Sequence, residues 1–458
     1  MESAAALANS LNILNQSCGR RHPSIDQIRS ALTGYQRKRR PRSKEICDTA
    51  NLTTRLEAIS NYLFNMIVLY VVPYGGDFPV DVFCQLVLGA TKLDFLPLPE
   101  KSRGVSFRPA QVTHQNIFLW RVIRALPLLS LSLVAYCFLD TSTSQASSLS
   151  IDRTVSTEHQ TFLRQTISNS VHWINKHAFL QPISSSNYTE RRHIISFMCD
   201  LVPLQIIWTI ESFRRGSFLT VVALSSIFWI AAQWKGMGYV APLYYFFHYI
   251  QAPVEKYAAA DNRLVPTNYA KTLIAAIIFG YILPTGFVFL TISANGFQHA
   301  MAFWQLFPVW TAFMHRIFAF SVVDTTAHDR IYNPLADMPY LRRIYVFGAA
   351  LSGIAYIYLF STAWGDVGNT LRGIMHATTP FEHQLKYHHL VTFISGLIWQ
   401  LLHFRDLKKS GKLDAAWFKI IGIFACTSLL FGPSASQIVY WAWREEVLAR
   451  RLYDGIKS

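Results

Sequence analysis

Apolar residues run through this chain in long blocks, separated by short polar and basic stretches. Nine blocks stand out: 117–139, 194–210, 217–232, 238–251, 269–291, 297–319, 344–360, 389–403 and 417–443. A helix rises about 1.5 Å per residue and a bilayer core is roughly 30 Å thick, so these lengths suit crossing helices, the shorter ones only with borrowed flanking turns. Upstream, Leu56–Val72 and Val80–Ala90 flank a turn running from Pro73 to Pro79, the pattern of a re-entrant or hairpin unit. The pattern predicts an all-α, polytopic transmembrane helix bundle of about eight to ten membrane segments.

Composition agrees, with 51% hydrophobic, 14% aromatic and only 15% charged residues in 458. A soluble domain carries about a quarter charged residues. The formal charge of +15 includes the run Arg37, Lys38, Arg39, Arg40, Arg42 and Lys44, which fits an anionic cytoplasmic leaflet. Nothing resembling a nucleic-acid fold accompanies it, so the expected partners are the lipid bilayer and a hydrophobic small molecule, with no nucleic acid. Residues 1–55 read as a basic cytoplasmic tail with little fixed structure, 56–140 as N-terminal membrane segments, 141–193 as a polar linker, and 194–458 as a C-terminal bundle holding the active site.

Three basic loops, around Arg214 and Arg215, Arg342 and Arg343, and Arg405 to Lys412, fall on one side if the nine blocks each cross once. That side would be cytoplasmic. The same count puts the basic C-terminus on the lumenal side, against the rule, unless the last block crosses twice or not at all. No basic and apolar leader opens the chain, so a multi-pass protein of the endoplasmic reticulum inserted by internal helices is expected. Asn187-Tyr188-Thr189 is a glycosylation sequon. The six cysteines show no paired or metal-ligand spacing, and no internal repeat is visible.

Ionisable groups at membrane depth are costly, so they mark candidate chemistry. One cluster closes the block 238–251, with Tyr244, Tyr245, His248 and Tyr249, then Glu255 and Asp261 beyond the break expected at Pro253. An interfacial aromatic belt is the plainer reading of the same residues. A second follows the block 297–319, with Trp310 and His315, then Asp324, Asp329 and Arg330. Asp324 before two threonines is also a common helix cap. A third is Asp200, flanked by Cys199, Leu201 and Pro203, with Glu211 further along the same block. Burial of such a carboxyl would disfavour its charged form, although a structural pair with Arg214 or Arg215 is the slightly favoured reading.

The chain lacks the Asp-rich motifs that hold magnesium diphosphate, and glycine-rich nucleotide loops, His-Glu-x-x-His and Gly-x-Ser-x-Gly are missing too. No metal and no cofactor is therefore expected. What remains is proton chemistry on an apolar substrate: a neutral carboxylic acid opens an epoxide or alkene, and aromatic faces stabilise the resulting cation. Glu255, Asp324, Asp261, Glu211 and Asp200 are the candidate acids. Tyr244, Tyr245, His248, Tyr249, Trp310, His315, Asp329 and Arg330 are the candidate substrate contacts.

Three segments carry a family resemblance: Pro242 to Pro253 continuing through Ala260-Asp261-Asn262-Arg263-Leu264, Gly280 to Thr285, and Asp324 to Arg330. Over roughly 195–445 the chain resembles the fungal polytopic membrane terpene cyclases of meroterpenoid pathways, of the ascochlorin and ascofuranone type. The resemblance implies cyclisation of a farnesyl-type chain, usually epoxidised and attached to an aromatic ring, without loss of diphosphate. Two other classes compete. A membrane-bound O-acyltransferase could use His248, His315 or His388, and Arg103-Gly104-Val105 faintly resembles the wax-synthase-like members. A non-enzymatic transporter is weakened by the missing repeats.

Overall fold

The computed structural model describes residues 2–19, 22–58, 61–70, 90–91, 93–96, 118–146, 188–218, 220–258, 260–291, 294–326, 333–363 and 380–454. The chain divides into two compact units. One comprises residues 1–114, 255–262 and 452–458, and the other comprises 115–254 and 263–451. Among the described residues every regular element is helical.

In the first unit, α1 (Glu2–Cys18) and α2 (Ile25–Glu57) form a helical pair, followed by α3 (Tyr62–Tyr70). The expected tail with little structure is thus helical. Ser24 accepts from the Gln27 N–H while the Gln27 side chain accepts from the Ser24 N–H, a capping box that starts α2. Glu2 ties the helices together by accepting from Arg39 at 2.6 Å and Arg42 at 2.5 Å.

The second unit holds α4 (Phe118–Ala146), α5 (Tyr188–Phe213), α6 (Ser225–Lys235), α7 (Met237–Gln251), α8 (Thr267–Ile277), α9 (Leu283–Leu290), α10 (Ala294–Gln305), α11 (Phe307–Phe320), α12 (Met338–Ala363), α13 (Pro380–Lys409), α14 (Trp417–Phe431) and α15 (Pro433–Asp454). Four stretches are long and apolar enough to cross a membrane: Phe118–Cys137, Ile194–Phe213, Thr267–Leu290 and Met338–Ser361. Val221–Lys235 and Trp417–Phe431 are shorter apolar helices.

Cross-contacts fix the directions. Ser132 bonds the Tyr239 carbonyl while Arg121 reaches that of Tyr249, so α4 and α7 are antiparallel. Gly238 meets His388 and His248 meets His403, so α7 and α13 run together. α5 and α15 share that direction, through Asp200 with Ser434 and Glu211 with Trp441. α12 runs against them, with Gly348 beside Ile438 and Arg342 on Glu446.

Two apolar blocks break where one helix was expected. The block 297–319 divides at Leu306, and Pro308 falls in the first turn of the second helix, where its missing N–H costs no helical bond. The block 417–443 divides at Gly432, whose φ of 88° suits a residue without a Cβ. Ile420 then meets Tyr440 and Thr427 meets Ser436, so α14 and α15 form a hairpin. Trp443 therefore returns to the end of the bundle that holds Phe404 and the 405–412 loop. Arg214, Arg342 and Arg444 thus gather at one end of this unit, through Glu445 and Glu446, and the last block turns back on itself, the alternative the sequence had left open.

At 278–282 the helix widens by one residue into a π turn before Pro284, which has no N–H to return to the carbonyl four residues back. Gly280 in this turn lets α11 approach so closely that a Cβ there would lie 2.5 Å from the Thr311 Cα. The Asn187 sequon, the 80–89 segment and Arg103-Gly104-Val105 lie outside the described residues.

Candidate active site

The core of the second unit is an aromatic column built by α5, α7, α13 and α15. Trp208 stacks on Tyr244 with centroids 4.0 Å apart, Tyr245 stacks on Trp399 at 4.6 Å, and Trp399 stacks on Trp441 at 4.2 Å. Each of these side chains is fully buried. The run Tyr244-Tyr245-x-x-His248-Tyr249 thus faces the interior of the bundle rather than forming an interfacial belt, because i, i+1, i+4 and i+5 cover a broad stripe of one helix.

At one end of the column lies a buried ionic network. Arg214 pairs with Glu211 at 2.7 Å and with Glu445 at 2.9 Å, and it donates to the Arg263 carbonyl at 2.6 Å. Arg263 pairs with Asp337 at 2.6 Å and with Glu445 at 3.3 Å, and Arg444 pairs with Glu445 at 3.0 Å. Three arginines face three carboxylates, so the network is electrically balanced. Trp441 Nε1 also donates to Glu211 at 3.0 Å, and His248 Nε2 lies 3.2 Å from the same carboxylate. Alongside, Arg121 pairs with Asp406, which also accepts from the Tyr249 hydroxyl at 3.2 Å. Glu211 is thus tied into the arginine network on both oxygens, the arrangement of a buried structural ion pair.

About eleven residues back along α5, roughly 16 Å, Asp200 has a different setting. Its Oδ1 accepts from Ser352 on α12 at 2.8 Å, and its Oδ2 accepts from Ser196 at 3.5 Å and lies 3.1 Å from His389 Nε2 on α13. Ser434 of α15 bonds the Asp200 carbonyl, and Tyr281 bonds that of Met198 at 2.7 Å, both close to Pro203 within α5. Neither Arg214 nor Arg215 is the partner of Asp200. The pair opens outward through His389, whose side chain is 20% exposed against 4% for Asp200. Phe197 and Phe393 meet the His389 ring edgewise at 5.3 and 4.9 Å.

The remaining candidates disperse. Oδ1 of Asp324 accepts from the N–H and hydroxyl of both Thr267 and Thr326, at 2.6 to 3.2 Å. Burial alone would raise its pKa, but these bonds outweigh it and hold the carboxyl below its usual range. This is a local cap. His315 donates through Nε2 to the Tyr269 carbonyl at 2.9 Å, and Trp310 to that of Phe303 at 3.1 Å, so both are engaged within the α8–α11 region. α7 does end at Gln251, before Pro253, but Glu255 and Asp261 belong to the first unit and their side chains lie outside the described residues, as do Asp329 and Arg330.

Sequence reasoning missed His389, His403, Trp399, Trp441, Asp337, Arg444, Glu445 and the Arg121–Asp406 pair as site components. His388-His389 was visible as an isolated pair, and a charged residue amid apolar neighbours, such as Arg121, was a usable signal. The expectation that no glycine-rich nucleotide loop is present overlooked Gly236-Met237-Gly238-Tyr239-Val240-Ala241, which matches that spacing. This run joins α6 to α7 rather than a strand to a helix, and its Gly238 N–H donates to His388 Nδ1 at 3.1 Å. The dinucleotide fingerprint requires a strand before the turn, so these residues do not fit a dinucleotide.

Residues 174–449 match the CtvD domain, and the chain belongs to the CtvD-domain family. It is 31% identical over 98% of its length to FAD-dependent monooxygenase BOA8 of Botryotinia fuckeliana (strain B05.10), covering 55% of that protein. It is 29% identical, again over 98% of its length, to FAD-dependent monooxygenase verC1 of Penicillium polonicum, covering 58%. Terpene cyclase ascI of Acremonium egyptiacum is 24% identical over 49% of this chain and 58% of its own length. The chain thus spans a little over half the length of the curated relatives it matches. No solved structure matches. The relatives are fungal enzymes by name, one of them a terpene cyclase.

Proposed function

We propose that the chain is a multi-pass membrane terpene cyclase, in which the Asp200–His389 pair protonates an epoxide or alkene on an isoprenoid chain and so starts cyclisation. The observation that carries this reading is the partner set of Asp200: a buried carboxyl bonded to hydroxyls and an imidazole rather than to an arginine or lysine. One proton in excess on the pair gives a net neutral unit, whichever atom holds it. Transfer to the epoxide oxygen breaks the C–O bond, leaves the positive charge on carbon, and returns the pair to carboxylate and neutral imidazole. Ser352 O–H and His389 Nε2–H then both donate to the carboxylate, which lowers the cost of releasing the proton. The aromatic faces beside His389 would stabilise the cation by about 1–2 kcal/mol each where water is excluded.

The flavin chemistry in the relatives' names belongs to those proteins, and no step here passes through it. The test is expression of the full chain in host membranes lacking related enzymes, with an epoxyfarnesyl phenol supplied. A product of unchanged mass and altered ring count supports the reading. An acyl adduct would support the acyltransferase alternative, and recovered starting material would overturn the cyclase.

A further inference from the structure

The imidazoles at the ionic end of the column carry a tautomer constraint. Trp399 Nε1 can only donate, and it lies 3.2 Å from His248 Nδ1, so that nitrogen is an acceptor. His248 must then carry its hydrogen on Nε2, where it donates to Glu211 at 3.2 Å. His403 Nε2 also lies 3.1 Å from His248 Nδ1, and two facing lone pairs would repel, so His403 donates there and shares the single acceptor lone pair of His248 with Trp399. This assignment follows from the network and leaves His403 Nδ1 as a bare lone pair. The residue is fully buried, and among the described residues that nitrogen has no hydrogen-bond partner. Around it stand the rings of Tyr249, Trp399 and Trp441, at 5.5, 5.5 and 5.4 Å.

A buried acceptor walled by aromatic faces calls for a hydroxyl donor with a flat or apolar body. We propose that His403 Nδ1 is a substrate-binding position that receives a hydroxyl on the head of the substrate, setting the register of the isoprenoid chain against Asp200. The proposal rests on the cyclase reading. It adds a second fixed point, because His389 and His403 are fourteen residues apart on α13, roughly 21 Å along the helix. An elongated substrate anchored at one station presents its far end to the other.

The test compares an epoxyfarnesyl phenol with its methyl ether, using the full chain in membranes. Wild type should prefer the phenol by about tenfold in kcat/KM, mainly through KM, the scale of one buried hydrogen bond. His403→Phe should abolish that preference, with phenol and ether turning over equally. A merely structural role would lower both substrates alike and keep their ratio. If His403→Phe does not accumulate, the wild-type ratio still decides. Equal turnover of phenol and ether by wild type would overturn the proposal while leaving the cyclase standing, and turnover of neither would overturn both.

Discussion

The two ends of the aromatic column treat carboxylates in opposite ways. Glu211 and Glu445 meet three arginines in full burial, whereas Asp200 meets two serines and a histidine. Paired charges of that kind specify how helices seat against each other, and removing one partner strands the rest. Asp200 has no arginine or lysine among the partners described for it, and its contact to His389 leads toward the surface. Burial is common to both ends, and the charge of the partners is what sets them apart.

The comparison breaks most severely at Arg214. Arg214→Met leaves Glu211 and Glu445 short of a counter-charge, and it should cost about 3–5 kcal/mol, read as loss of folded protein by detergent thermal unfolding. Asp200→Asn should cut cyclisation by at least about 100-fold while the unfolding midpoint stays near that of wild type. His389→Gln keeps a donor toward Asp200 but cannot share the proton, so a loss of about tenfold is expected, with a changed pH–rate profile as the deciding readout.

Asp324→Asn sharpens the contrast from outside both ends. It should cost about 1 kcal/mol and leave turnover intact, measured on the same membranes. Because the Asp324 carboxyl titrates below its usual range in the folded state, its contribution is present at neutral pH. It is lost as pH falls from the ordinary carboxylate range through the lowered folded value, so wild type and variant should converge in stability under acid.

The helical bundle was legible because its apolar blocks are long, and the end of α7 because Pro253 stops it. The break at Gly432 was not legible: glycines occur within these helices too, and only the pairing of Thr427 with Ser436 reveals a hairpin. Asp200 stood among five candidate acids, but its partner did not appear, since nothing local connects it to His389, which is 189 positions away. Asp324 looked equally promising in sequence because a threonine-rich cap and a polar active-site loop draw on the same residues. Asp337 and Glu445 escaped notice for a similar reason, as charges near helix ends ordinarily reach water.

The most direct measurement follows conversion of an epoxyfarnesyl phenol to an isomer of equal mass by wild type and Asp200→Asn, with both proteins matched for amount and thermal midpoint. The account predicts isomer formation by wild type and its loss in the variant. Wild-type rates in a folded Asp200→Asn protein would contradict it.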